Sequence, residues 1–334
     1  MLEKLHRAIA HPARAAIRAA DTNALRIVDG PGDGFDDLAI DDFAGHWLVE
    51  SRSAEPPAWL FGKAAENLEI RKSGKEGAAS PALPDFLISR FNSFGIPLPV
   101  SLYWKRLGDK ESPRWIAGER VGEPFEIREN GVRYWIDFAS GYSQGIFLDQ
   151  RDNRLALRHA AAGKTVLNTF AYTCAFGVSS AHASASETVN LDLSKRYLDW
   201  GRRNYELNGI PPARPHDFIH GDTLDWLRRF RKKGRLFDIV ILDPPTFSRN
   251  EKGAVFTIGE SFAPLVRAAA EVLAPGGMIF CSTNQRSLTP AAFRALILEG
   301  LDTTARWHLH PAPMPGDFPG EQYLKAMWVR GGEE

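Results

Sequence analysis

The stretch Phe237-Asp-Ile-Val-Ile-Leu-Asp243-Pro-Pro-Thr-Phe247 decides how this chain folds. Residues 239–242 are an apolar, β-branched run that reads as a fully buried strand. The run ends at Asp243 because two prolines supply no backbone donor and cannot extend a sheet. Open α/β sheets bind ligands at the carboxyl ends of their strands, and a carboxylate stands at that place here. The prolines leave the loop few conformations, so Asp243 and Phe247 keep a fixed relation. An acid, two prolines and an aromatic suit a site that presents a flat heterocycle to a methyl donor. The plainer reading is a strand that ends in a Pro-rich turn.

Working outward, the chain from about residue 139 alternates strand and helix, the pattern of a parallel, doubly wound sheet. Strands are expected at Thr165–Thr169, at 188–191 with Asp192 at the end, at 217–220 with Asp222 just beyond, at 239–242 and at 278–282. A helix over 261–273 stops at Ala274-Pro-Gly-Gly277. The last two strands, 306–310 and 323–330, are joined by a Pro/Gly-rich loop with no room for a crossover helix, so they pair antiparallel. Residues 1–138 read as a smaller α+β domain, and 139–334 as the second domain. The first begins with an Ala-rich, basic amphipathic helix packed on the body. Short strands follow at 25–28, 38–40 and 47–49, then a weak helical stretch at 59–68 and an exposed loop over 72–84. A hairpin over 125–137 turns at Asn130-Gly131, the type I′ signal.

Composition narrows the function classes. The chain has 334 residues, 44% hydrophobic and 25% charged, as expected for a globular protein of about two domains. No window approaches the ~18 apolar residues of a membrane span, and the N-terminus lacks the apolar core of a secretory signal. The two cysteines, Cys174 and Cys281, make no disulfide framework. No His/Cys cluster has zinc spacing; His308 and His310 share a strand face without further ligands. The expectation is a cytoplasmic protein with no metal and no membrane partner; its oligomeric state is open, a homodimer included. Net charge is zero, 41 basic against 41 acidic residues, so the distribution of charge matters more than the sum. The densest basic run is 228–235, with Arg228, Arg229, Arg231 and Lys232. It reads either as a solvated helix end, or, with Tyr103-Trp-Lys-Arg106, as the basic and aromatic flank of a cleft. Tyr103 and Trp104 also suit the core of the small domain.

Acids follow three successive strands: Asp192, Asp222 and Asp243. After the second strand, a carboxylate can accept from both ribose hydroxyls of an adenosine. After the third, it can accept from the exocyclic amine of adenine. Each alone could equally cap a helix. NAD would need a Gly-rich turn for its pyrophosphate, but the first loop reads Asn168-Thr-Phe-Ala-Tyr-Thr-Cys-Ala-Phe-Gly177. S-adenosylmethionine makes no such demand.

These residues carry a specific resemblance. Thr22-Asn-Ala-Leu-Arg-Ile-Val-Asp-Gly-Pro-Gly-Asp-Gly34, Gly141-Tyr-Ser-Gln-Gly-Ile-Phe-Leu-Asp-Gln-Arg151, Val166-Leu-Asn-Thr-Phe-Ala-Tyr-Thr173, Asp192, Asp222 and Leu242-Asp-Pro-Pro-Thr-Phe247 resemble the bacterial large-subunit (23S) ribosomal RNA methyltransferases of the I/K/L group. The resemblance implies a class I, Rossmann-like α/β fold: a seven-stranded sheet with an antiparallel last strand. It also implies S-adenosylmethionine as cofactor and RNA as partner. By the same resemblance the donor pocket takes Gln144, Phe147, Asp149, Asn168, Phe170, Tyr172, Thr173, Asp192, Leu193, Asp222, Thr223 and Asp243. The catalytic set is Asp243, Pro244, Pro245, Phe247 and Asn284, with Asp243 and the Pro244 carbonyl holding base-edge donors and Phe247 stacking on the base. Asn284 and Arg286 contact the base or a phosphate. Arg151 and Arg154 read as a solvated first helical turn, outside catalysis.

Three departures from the family matter. Cys174 stands where many relatives have glycine, and its Cβ limits how closely backbone and ligand can approach. About twenty residues precede the Thr22 match, too few for the accessory RNA-binding module that relatives commonly carry. Cytosine-C5 members of the group carry Ser-Cys-Ser after the fifth strand, because carbon 5 needs covalent activation by a thiolate. This chain has Thr283-Asn-Gln285 there, with Cys281 read as buried in the strand. The Thr-Phe after Asp-Pro-Pro and the run Asn284-Gln-Arg286 more closely resemble the K-type, guanine-N7 member. A guanine ring nitrogen is therefore favoured, with cytosine C5 or a non-catalytic RNA-binding role as alternatives.

Overall fold

The apolar strand that ends before Asp243, β11 (Phe237–Leu242), sits in the middle of a seven-stranded sheet. Its neighbours are β8 (Thr165–Thr169) and β14 (Leu273–Thr283), both parallel to it. Buried on both faces, β11 can afford no polar side chain between Ile239 and Leu242. The sheet continues through β9 (Glu187–Asp192) to β10 (His216–His220) on one side. On the other lie β16 (Lys325–Gly331) and the edge strand β15 (Trp307–Ala312). β16 runs antiparallel to both β14 and β15, as the short connection requires. The computed structural model describes residues 1–61, 83–141, 143–249 and 255–332.

Helices cover both faces. Leu227 and Phe230 of the helix Thr223–Lys232, Phe262, Leu265 and Val266 of Ile258–Ala270, and Phe293 and Ile297 of Pro290–Gly300 pack on one side. Leu157 and Ala161 of Arg151–Ala161 and Phe176 of Ala175–His182 pack on the other, against Ile239, Ile241 and Phe280. The helix expected over 261–273 lies three residues earlier in the chain, and β14 already begins at Leu273, taking in Ala274-Pro-Gly-Gly277. Gly277 fits there because a Cβ would meet the Asp238 carbonyl at 2.8 Å.

The chain divides at Leu148/Asp149 rather than at 138/139, and residues Pro315–Glu321 belong to the first unit. The first unit holds a five-stranded sheet in simple order: β1 (Ala24–Asp29), β2 (Leu38–Phe43), β3 (His46–Ser51), β4 (Ser101–Arg106) and β5 (Arg114–Gly118). All pairs are antiparallel except β3 with β4. The hairpin β6 (Phe125–Glu129) and β7 (Val132–Ile136) turns at Asn130 and Gly131, both at positive φ as the type I′ turn demands. The N-terminal helix is two helices, Leu2–Ile9 and Pro12–Ala19. Pro12 takes the first position of the second, where its missing N–H costs nothing. The expected helix at 59–68 is described as Ala58–Phe61; its remainder, and the loop over 72–82, fall outside the described residues. Among the described residues no helix is long and apolar enough to cross a membrane.

An ionic knot holds the first unit. Arg14, fully buried, makes a bidentate pair with Asp33 at 2.8 and 2.6 Å and donates to the Ala8 and Asp317 carbonyls. Arg26 pairs with Asp41 at 2.8 Å and lies over the Phe318 ring. Asp317 accepts from the Arg26 amide at 2.9 Å, and Asp29 accepts from the Gly320 amide at 2.8 Å. The returning segment is thus built into the unit's interior. Gly32 must be glycine because a Cβ would stand 2.4 Å from the Gly320 nitrogen. Replacing Asp33 by Ala strands a buried guanidinium and should cost about 3–5 kcal/mol in denaturant unfolding, while Arg14→Met with Asp33→Leu should cost distinctly less.

Candidate functional site

Five parallel strands, β8 to β11 and β14, end on the same edge of the second unit's sheet. That edge collects the loop after Thr169, Asp192, Asp222, the Asp243-Pro-Pro turn and the loop after Thr283. Parallel strands put like ends together, so Asp222 and Asp192 follow neighbouring strands, and the end of β8 stands between Asp192 and Asp243.

Asp192 ends β9, and its two carboxylate oxygens accept backbone N–H groups of Tyr172 and Ser194, each at 2.8 Å. Burial raises its pKa against the pull of those hydrogen bonds. The loop it braces is unusual. Phe170, Tyr172 and Cys174 all have positive φ, at 52°, 50° and 62°, without a glycine among them. Three left-handed residues at about 1–2 kcal/mol each persist only where the surroundings over-determine them. Tyr172 packs edge-on against Tyr197, Phe170 tilts against Phe256, and Cys174 is wholly buried. Asp222 caps the helix Thr223–Lys232, accepting from the Asp225 amide at 3.1 Å, and Thr223 is buried behind it. Gly221, at φ 155°, leaves the space that Trp226 fills. The Leu193 carbonyl is held by His220 Nε2 at 3.0 Å.

Asp243 is the most perturbed acid of the edge. Its Oδ1 accepts from Ser282 Oγ and, at 3.2 Å, from Gln150 Nε2. Burial pushes its pKa up to about 6; nearby Asp149 adds to the rise, while Ser282, Arg154 and Gln150 oppose it. Asp149, itself buried, accepts from the Tyr323 hydroxyl at 3.0 Å. Pro244 is buried, Pro245 is exposed, and Phe247 opens the short hairpin β12 (Phe247–Arg249) and β13 (Val255–Thr257) with 58% of its surface exposed. Asn284 is exposed in the loop after β14, and Arg286 lies over the Tyr323 ring.

The sequence matches the profile of the S-adenosylmethionine-dependent methyltransferases over residues 101–312. The chain belongs to that family. A relative from Aeromonas salmonicida named ribosomal RNA large subunit methyltransferase I is 36% identical over 234 residues, 68% of this chain and 59% of that protein. The chain thus spans less than two thirds of that relative's length. A Bacillus subtilis protein named "putative ribosomal RNA large subunit methyltransferase YwbD" is 31% identical over 95% of this chain and 77% of its own. A solved structure titled a putative methyltransferase complexed with SAH superposes with a TM-score of 0.80 at 27% identity, over 98% of this chain and 80% of that one. The fold is that of a class I methyltransferase with its antiparallel last strand.

The second unit buries several of the residues expected at the site. Asn168 is buried one residue inside β8, where its amide donates to Asn190 Oδ1 at 3.0 Å. That amide row continues to the Tyr205 hydroxyl, and Gly177 is glycine because a Cβ would meet it. Thr173 is buried with its carbonyl held by Asn204. Gln144 and Phe147 fall in the first unit. Arg151 and Arg154 are not a solvated helical turn: they are 1% and 2% exposed, and Arg154 lies over Phe176. The basic run does not flank the Asp243 edge. Its helix starts at Asp222 and runs ten residues, about 15 Å, toward the opposite edge. There Arg235 pairs with Glu187, the first residue of β9, and Arg231 with Glu271. Tyr103, Trp104 and Lys105 are buried, so no exposed aromatic platform exists at that strand. Sequence reasoning missed Gln150 and Ser282; their types carry no signal until the topology brings them to Asp243.

Cys174 fits in this turn because the facing helix has a glycine opposite it. A Cβ on Gly201 would lie 2.2 Å from Cys174 Sγ. Gly201→Ala should therefore lower stability by about 1–3 kcal/mol through overpacking. Adding Cys174→Gly should recover most of that loss in thermal melting.

Proposed function

We propose that this chain transfers the methyl group of S-adenosylmethionine to a nucleobase of large-subunit ribosomal RNA, at a guanine ring nitrogen. The observation that carries the proposal is the Asp243 edge: a carboxylate with one oxygen held by the protein, followed by two prolines and an exposed aromatic ring. The relatives named for ribosomal RNA support the RNA part.

The residues present fit the donor. Asp192, braced by two backbone N–H groups, offers its remaining lone pairs to the ribose hydroxyls, and Asp222 follows the third strand at the adenine end. Tyr172 and Leu193 lie beside Asp192, Thr223 follows Asp222, and Phe170 stands in the loop after β8. No glycine-rich phosphate turn competes for a pyrophosphate. When bound, the sulfonium supplies an electrophilic methyl group. The protein's part is to hold the base in line with it, which is catalysis by proximity and orientation. Asp243 and the Pro244 carbonyl accept from the edge of an unstacked base, Phe247 stacks on it, and Asn284 and Arg286 lie within the next loop. Flipping the base costs a few kcal/mol.

A ring nitrogen with an in-plane lone pair needs no thiolate, and this chain offers none. Both of its cysteines are fully buried, and burial raises each thiol well above its ordinary pKa. This disfavours attack at cytosine C5.

Calorimetry should show S-adenosylmethionine binding and no NAD binding. Asp192→Ala should weaken the donor by about 1.5–3 kcal/mol per lost ribose contact. Asp243→Ala and Phe247→Ala should abolish turnover and leave donor binding largely intact. Nucleoside mass spectrometry of ribosomal RNA from a strain lacking the gene should show loss of one methylguanine. An adduct with 5-fluorocytosine RNA that disappears in Cys281→Ser would overturn the ring-nitrogen assignment.

A further inference from the structure

Around Asp243 the hydrogen-bond donors can be counted to completion. Gln150, Asn153 and Ser282 are 3%, 2% and 0% exposed. The Ser282 hydroxyl has one proton, and it goes to Asp243 Oδ1. The Gln150 amide has two: one points to Asp243 Oδ1 and the other to Ser282 Oγ, both at 3.2 Å. Which way that amide faces is settled by Asn153, whose Nδ2 donates to Gln150 Oε1 at 2.7 Å. An inverted amide would set oxygen against carboxylate and nitrogen against nitrogen. Among the described residues nothing bonds Oδ2.

We infer that Gln150 and Ser282, oriented by Asn153, are positioning residues that occupy Asp243 Oδ1 and leave Oδ2 as the single acceptor offered to the methyl-accepting base. The inference rests on the base-methyltransferase reading for its purpose, though not for its geometry. Two donors on Oδ1 have a second consequence. A proton arriving at this carboxyl group has no place on Oδ1, so it settles on Oδ2 and turns the acceptor into a donor. The site then repels the N–H it is built to hold. The trio therefore also governs the pH below which the base is no longer held. The groups that bear on this titration come from three elements: Ser282 of β14, Gln150 and Asp149 of the turn Leu148–Gln150, and Arg154 of the following helix. Ser282, Gln150 and Arg154 favour the ionised form, and Asp149 opposes it.

Removing a hydrogen bond to the ionised carboxylate must raise its pKa, so the sign is fixed. The wild-type profile of kcat/KM against pH should rise through about 6. In Ser282→Ala and in Gln150→Met the rising limb should move to higher pH by about one unit, as expected for a charge-assisted bond of ~1.5 kcal/mol. Ser282→Thr keeps the hydroxyl and should restore the limb. Donor affinity by calorimetry should stay unchanged throughout. The substrate for the kinetic arm is a 23S ribosomal RNA transcript with tritiated S-adenosylmethionine. A second arm needs no substrate: carbon-13 NMR of labelled aspartate carboxyls, with Asp243 assigned by its loss in Asp243→Asn. It should show the same upward displacement. Folded variants whose carboxyl titration does not move would overturn the inference, as would lowered turnover with an unshifted limb. If wild-type protein methylates no ribosomal RNA, the functional reading fails, and the carboxyl titration still decides the positioning.

Discussion

The edge where the parallel strands end hangs on the cost of keeping one carboxylate where little water reaches it. A buried acid with no donors would take up a proton and stop accepting hydrogen bonds. Asp243 is held near the balance point by Ser282 and Gln150, which oppose its burial. Ser282 depends on strand order: β14 must lie beside β11 for it to reach Asp243, in the register that pairs Leu242 with Cys281. Cys281 is therefore a small, fully buried residue of the sheet beside Leu242.

Much of this edge was legible in residue order because strands and their ends are written locally. The Ile239–Leu242 run and the prolines after Asp243 mark a buried strand and its stop. Asp192 and Asp222 repeat the pattern at two other strand ends, and Asn130-Gly131 names its own turn. What stayed hidden depends on direction and packing in three dimensions. The basic residues from Arg228 onward are near Asp222 in sequence. A helix that returns antiparallel to its strand carries them to the other side of the sheet. Arg151 and Arg154 look like surface charges, yet the helix they begin faces inward, with Arg154 over Phe176. Tyr103 and Trp104 were the reverse case: aromatic, next to cations, and entirely core.

The loop after β8 shows a different limit. A left-handed backbone is normally announced by glycine, and here it is adopted by Phe170, Tyr172 and Cys174. The compensation lies in the Asp192 carboxylate, which grips the Tyr172 amide, and in Gly201, whose missing Cβ makes room for a sulfur atom. A glycine was thus needed for this turn, but it sits on the neighbouring helix, 27 residues after the cysteine it accommodates.

The returning segment Pro315–Glu321 carries a consequence for how the protein is made. A ribosome releases β1 to β5 early, but the partners of Arg26 and Asp29 in that segment follow 291 residues behind them. At ~5–20 residues per second, that interval is about 15–60 s. During it the Arg26 amide lacks Asp317, the Asp29 carboxylate lacks the Gly320 amide, and the place filled by Phe318 is vacant. The first unit to be synthesised therefore waits for Pro315–Glu321, and the nascent chain must pass through an unfinished state until that segment emerges.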